Sequence, residues 1–79
     1  MSGALLTPVQ ARVLAAAADG APLTEVADRL GVPRPYVAAR LSEIYKRLEL
    51  VNFPKEQRRA EAVRIARANG AIPPAEETP

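Results

Sequence analysis

The segment from Leu23 to Val37, LTEVADRLGVPRPYV, decides the fold of this 79-residue chain. Its apolar residues recur at helical spacing on both sides of Gly31, and glycine suits a tight turn because it adopts left-handed backbone conformations freely. Ala27 is small enough for two helices to approach closely, and Val37 and Leu41 are placed to hold the second helix across the first. The segment therefore predicts a helix-turn-helix, although a plain helical hairpin with alanine and glycine at the crossing gives a similar pattern.

Prolines and glycines divide the rest of the chain into helical segments, because proline suits the first turn of a helix and glycine its carboxyl-terminal cap. The predicted helices are helix 1, Pro8 to Asp19; helix 2, Leu23 to Leu30; helix 3, Pro33 to Leu48; and helix 4, Pro54 to Asn69. No segment has the length and alternation of a strand. The sequence thus predicts an all-α chain with one domain over residues 5–72 and frayed ends at residues 1–4 and 73–79.

Local signals predict how these helices begin, end and pack. Thr7 and Gln10 have the spacing of a capping box, while Ala21 or Thr24 is the candidate cap of helix 2 and Asn52 that of helix 4. Left-handed caps are predicted at Gly20, Gly31 and Gly70. The predicted buried residues are Val9, Val13, Leu14, Ala16 and Ala17 in helix 1; Val26, Ala27 and Leu30 in helix 2; Val37, Leu41, Ile44 and Leu48 in helix 3; and Ala62, Val63, Ile65 and Ala66 in helix 4.

The composition excludes most catalysis, because the chain contains neither cysteine nor histidine. These two residues supply thiol nucleophiles, disulfides, the commonest general base and many metal ligands. We therefore expect no enzyme activity, no cofactor and no metal. The longest apolar run, Val13 to Ala18, is far short of the ~20 residues of a membrane span, so we expect a cytoplasmic protein without a membrane partner.

Positive charge is concentrated in one part of the chain. The net charge is +2 overall, but residues 29–67 hold ten cations and four anions and therefore carry +6, while both ends are acidic. Such an asymmetry favours a polyanionic partner. The alternative is that arginine and lysine side chains only solvate the helix faces.

Residues 5–72 resemble the LuxR/GerE type of DNA-binding domain. Leu6-Thr7-Pro8 with Val13-Leu14 is similar to the opening LTPRE…VL of that family, and Glu25 to Val32 is similar to its EIAxxLGI. Val37 to Leu48 is similar to its TVKxHLxxIxxKL, and Glu61 to Ala66 resembles its closing EAVRxA. The resemblance implies a bacterial transcription regulator with four helices, in which helix 3 enters the major groove of double-stranded DNA and helix 4 often mediates dimerisation.

The chain departs from the family pattern at several positions. Pro33 stands where the family usually has serine or aspartate, Tyr36 where it has threonine, and Glu49 where it has the glycine that follows helix 3. About six extra residues, Phe53 to Arg58, lengthen either the connection between helices 3 and 4 or helix 4 itself.

The resemblance implies base contacts on the outward face of helix 3, with phosphate contacts around it. Ala38, Ala39 and Ser42 occupy positions that often hold base-reading lysine or asparagine, and alanine can contact a thymine methyl group but cannot form bidentate hydrogen bonds. The base-contacting candidates are Arg34, Tyr36, Ala38, Ala39, Arg40 and Ser42. The phosphate-contacting candidates are Thr24, Arg29, Lys46, Arg47, Lys55, Arg58 and Arg59. The dimer-interface candidates on helix 4 are Ala62, Val63 and Ala66.

Several of these residues have a structural alternative. Arg40 and Arg47 are spaced to pair with Glu43 within helix 3, and Tyr45 is more suited to covering the core than to stacking on a base. Thr24 serves equally well as a helix cap, and the Lys55 to Arg59 cluster as a solvated helix face.

Two functions are consistent with the sequence. The first is a sequence-specific, double-stranded DNA-binding transcription regulator, located on the nucleoid and able to form a homodimer through helix 4. The second is a protein-interaction module of the same fold, an adaptor or antagonist of a transcription factor with little or no DNA binding. Region four of sigma factors is also similar, but the run Glu61 to Ala66 after helix 3 argues against it.

Overall fold

A computed structural model describes residues 6–73 of the chain. These residues form four α-helices: α1 (Pro8–Ala16), α2 (Leu23–Leu30), α3 (Arg34–Arg47) and α4 (Lys55–Ala68). No strand occurs between residues 6 and 73, so the prediction of an all-α chain is confirmed. Residues 1–4 and 74–79 of the predicted frayed ends lie outside the described residues.

The helix starts follow two different rules. At α1 the predicted capping box is confirmed, because the Gln10 N–H donates to Thr7 Oγ1 and the Thr7 N–H donates to Gln10 Oε1, both at 3.1 Å. The other three helices each begin after a proline and have no side-chain cap; these prolines are Pro22, Pro33 and Pro54. The predicted caps Ala21, Thr24 and Asn52 are therefore wrong, since proline with its fixed φ already sets the extended entry to each helix.

The ends of α2, α3 and α4 share one motif. After α3 the Leu50 N–H donates to the Tyr45 carbonyl at 2.8 Å, and the intervening Glu49 has φ +61°. The corresponding bonds join the Val32 N–H to the Ala27 carbonyl after α2 and the Ala71 N–H to the Ala66 carbonyl after α4. This is the Schellman arrangement, which needs a left-handed residue after the helix. The left-handed positions at Gly20, Gly31 and Gly70 are confirmed.

Helix α1 is shorter than predicted, and one of its valines is exposed. It ends at Ala16, and residues 17–19 form a turn in which the Gly20 N–H donates to the Ala17 carbonyl. Val9 is 49% exposed rather than buried. The buried side of α1 is centred on Gln10, Val13 and Leu14, and Val9 lies roughly a quarter turn away from it.

Helix α3 lies at the centre of the fold. It packs against each of the other three helices, and α1 also packs against α2 and α4, whereas α2 and α4 do not pack against each other. The core is made of aliphatic and alanine side chains, and its largest fully buried members are Val13, Leu14, Val26, Val37 and Ile44. None of the four helices is long and apolar enough to cross a membrane.

Candidate nucleic-acid interface

The solvent-facing side of α3 carries two cations, Arg34 and Lys46, that form no hydrogen bond or ion pair with a described residue. Because Val37 and Ile44 are buried, residues on the opposite side of the helix are exposed, and these include Ala39, Ser42 and Lys46. Arg34 is exposed in the first turn. Among the described residues, no group forms a hydrogen bond or ion pair with the side chain of Arg34 or Lys46. This face therefore presents two free positive charges, with small side chains between them.

The side of α3 that faces α1 is closed by a polar cluster. Arg40 donates to Glu43 through Nε at 3.0 Å and Nη2 at 2.6 Å, and its guanidinium lies 4.8 Å from the centre of the Tyr36 ring. Gln10 of α1 donates to the same carboxylate at 3.3 Å. The hydrogen bonds from Arg40 hold the pKa of Glu43 below its usual value. The alternative role of Arg40 as a partner of Glu43 is therefore confirmed, and contact with a base would require this bidentate pair to open.

Arg29 is likewise engaged within the protein. Its guanidinium donates to both carboxylate oxygens of Asp19, at 3.1 and 2.9 Å, to Glu25 at 2.9 Å and to the Ala16 carbonyl at 2.8 Å. The pKa of Asp19 is lowered mainly by its hydrogen bond from Arg29. Two carboxylates thus compensate the charge of this phosphate-contacting candidate, and Arg29 instead holds the turn between α1 and α2. Thr24 is exposed in the first turn of α2.

Four of the six extra residues, Lys55 to Arg58, begin α4, and Arg58 folds back on the connection that precedes the helix. Its Nε donates to the Phe53 carbonyl at 2.9 Å and its Nη2 to the Val51 carbonyl at 2.7 Å. Arg59 reaches the turn between α1 and α2, where it donates to the Ala21 carbonyl at 2.6 Å. Carbonyl groups are neutral acceptors, so both arginines keep their net charge.

A groove runs between α3 and the amino-terminal end of α4, with the turn between α1 and α2 at its far side. It has a volume of about 750 Å³ and is open to solvent. Its apolar floor includes Leu23, Ala38, Leu41 and Tyr45, and its α4 wall carries Lys55, Glu56, Arg58 and Arg59. Burial raises the pKa of Tyr45, whose ring packs against the core as predicted. Lys55 is exposed and makes no hydrogen bond or ion pair with any described residue.

The groove brings together residues that sequence reasoning placed in separate groups. Ala38 and Ser42 are base-contacting candidates, whereas Lys55, Arg58 and Arg59 are phosphate-contacting candidates. The groove itself is not predictable from the sequence alone. A partial signal was present, since Ala38, Ser42 and Tyr45 share one side of a helix, but the position of α4 depends on the path of the extra residues.

The dimer-interface candidates on α4 lie in the core of the protein. Ala62 and Ala66 are fully buried, and Val63 is 4% exposed. They belong to the same cluster as Leu14 and Ile44 and have no surface left for a second copy of the chain. Any homodimer through α4 would have to use its exposed residues. The last phosphate-contacting candidate, Arg47, is exposed and also interacts within the protein.

No model of a known protein family matches the chain, and no curated protein or solved structure shows significant similarity to it.

Proposed function

We propose that the chain is a LuxR/GerE-like helix-turn-helix protein that binds double-stranded DNA, recognises its sequence through α3 and regulates transcription on the bacterial nucleoid. The observation that carries this proposal is the exposed side of α3, where Arg34 and Lys46 form no hydrogen bond or ion pair with a described residue and the small residues Ala39 and Ser42 lie between them. Fourteen residues make α3 about 21 Å long, and a helix of ordinary diameter fits the major groove.

Four exposed residues of α3 have side chains whose chemistry suits a contact with DNA. Arg34 can form two parallel hydrogen bonds to the O6 and N7 acceptors of a guanine, and Ser42 can donate to or accept from a base edge. Ala39 provides a methyl group for contact with a thymine methyl. Lys46, one residue from the end of the helix, suits a phosphate oxygen, because a flexible ammonium group binds as a point charge.

Selection of bound duplexes from a random pool, followed by titration of the best site, tests this function. Arg34→Ala is expected to weaken binding to that site by about 1–3 kcal/mol and to relax the preference at one base pair. Arg12→Ala is the matched control, because Arg12 is an exposed arginine on α1 that forms no hydrogen bond or ion pair with a described residue. An equal loss of DNA affinity in Arg34→Ala and Arg12→Ala would refute the proposed docking of α3. A wild-type affinity that does not fall as the salt concentration rises would refute it as well.

A protein-interaction module is the second candidate function, and two observations favour it. Carboxylates within the protein already compensate Arg29 and Arg40, and the groove beside α3 has an apolar floor. Such a module would retain a protein partner in a pull-down and would fail to bind duplex DNA even at low salt. Measurement of the mass in solution decides separately whether the chain forms a homodimer.

A further inference from the structure

We propose that the groove between α3 and α4 holds one sugar–phosphate strand of the bound DNA, with Lys55 as a phosphate-binding residue. This inference rests on the proposed function, because it takes α3 to lie in the major groove. It assigns a role to three of the extra residues, Lys55, Glu56 and Arg58, which line the α4 wall of the groove.

The dimensions of the duplex determine where its strands pass. A helix with its side chains is about 10–12 Å across, and the major groove is about 12 Å wide, so a backbone strand lies along each side of an inserted helix. On one side of α3 the Gln10–Glu43 hydrogen bond joins the helix to α1. On the other side lies the open groove of about 750 Å³, bounded by the amino-terminal end of α4 and the turn between α1 and α2. The strand on that side therefore has to cross the groove.

The charge of the groove fits a phosphodiester strand. Its α4 wall carries three cations and one anion, namely Lys55, Arg58, Arg59 and Glu56. The acid on the opposite wall, Asp19, is already paired with Arg29. The excess positive charge complements phosphates, while the apolar floor at Leu23 and Tyr45 can contact the carbon atoms of deoxyribose. Two features of one polymer, charged phosphates and apolar sugars, thus match the two surfaces of the groove.

Lys55 is placed where it opposes the stability of its own helix. It is the first residue of α4, and a cation at this end interacts unfavourably with the helix dipole. No carboxylate or carbonyl among the described residues accepts a hydrogen bond from its ammonium group. A bound phosphate would supply the missing partner, which distinguishes Lys55 from Arg58 and Arg59.

The test compares Lys55→Gln with Arg12→Gln and Arg34→Ala on the full chain, using the duplex selected by the wild type and an unrelated duplex. Loss of one phosphate contact lowers the slope of log affinity against log salt by about 0.9. Between about 50 and about 200 mM salt, wild-type affinity is then expected to fall roughly 3.5-fold further than that of Lys55→Gln. Lys55→Gln is expected to weaken binding to both duplexes by the same factor and to leave the base preference unchanged.

Ethylation of single phosphates gives an independent readout. A phosphate contacted by Lys55 is one whose ethylation weakens DNA binding by the wild type but does not weaken DNA binding by Lys55→Gln. Circular dichroism is expected to show an unchanged fold, because the Lys55 side chain is exposed and makes no hydrogen bond or ion pair with a described residue.

The outcomes separate this inference from the function on which it rests. If Lys55→Gln behaves like Arg12→Gln while Arg34→Ala relaxes the base preference, the groove does not hold the strand but α3 still binds DNA. If the wild type binds no duplex at low salt, both proposals are overturned. A protein partner whose capture is weakened by Lys55→Gln, with DNA affinity unchanged, would show that the groove serves a protein and would also overturn the inference.

Discussion

Replacing Glu49 with glycine is expected to stabilise the protein by about 0.5–1 kcal/mol. Glu49 has φ +61° because the motif that ends α3 requires a left-handed residue at this position. The Glu49 N–H donates to the Lys46 carbonyl at 3.1 Å, and the next residue, Leu50, is buried. A residue with a Cβ pays about 1–2 kcal/mol in this conformation. Glycine removes that penalty. About 0.5–1 kcal/mol of the gain in folding free energy is lost again, because glycine makes the unfolded backbone more flexible and so stabilises the unfolded state.

The side chain of Glu49 contributes nothing that would offset this gain. It is exposed and forms no hydrogen bond or ion pair with the described residues. Its negative charge also lies at the carboxyl end of α3, where the helix dipole disfavours it. For a domain of this size, the stabilisation corresponds to a rise in the thermal midpoint of roughly 2–8 °C, which circular dichroism resolves.

Gly31 provides the reverse substitution as a control. It occupies the equivalent left-handed position after α2 with φ +69°, and a Cβ placed there would meet no atom within 4 Å. Gly31→Ala therefore adds no clash, and its expected cost of about 1 kcal/mol comes from backbone conformation alone. A lower thermal midpoint for Glu49→Gly, or an unchanged one for Gly31→Ala, would refute this explanation of the helix ends.

The remaining predictions concern the core and the cluster on the α1 side of α3. Leu14→Ala is expected to lower the free energy of unfolding by about 2–5 kcal/mol, since Leu14 is fully buried, and a loss below about 1 kcal/mol in urea denaturation would contradict the assigned core. Because the pKa of Glu43 is lowered in the folded protein, its pairing with Arg40 stabilises the fold at pH values above the pKa that Glu43 has in the unfolded chain. This contribution disappears as the pH falls through the pKa of Glu43 in the folded protein. Glu43→Gln is therefore expected to show a smaller drop in urea midpoint between neutral and acidic pH than the wild type, and equal drops would show that the pair is not stabilising.

Local signals in the sequence predicted the helices well. The capping box at Thr7 and the left-handed turn at Gly31 depend on residues within a few positions of each other, so they can be recognised without the tertiary structure. The same holds for the pair of Arg40 and Glu43, which are one helical turn apart.

Long-range contacts could not be predicted in this way. Arg29 pairs with Asp19 across a turn whose path is set by packing, and Arg58 binds backbone carbonyls, which residue identity does not reveal. The apolar stripe containing Val63 fits a protomer core and a dimer interface equally well, because both bury the same kind of surface. Its assignment to the core depended on where α4 packs.

The bond from Arg59 to the Ala21 carbonyl has a consequence for protein engineering. It joins residues 38 positions apart and fastens α4 to the turn that leads into α2. A graft containing only α2 and α3 would leave that carbonyl without its donor and would lose Ala62 and Ala66 from the core. The α2–α3 pair therefore does not constitute a transplantable unit, and a chimera that is meant to keep its geometry has to carry α4 along with it.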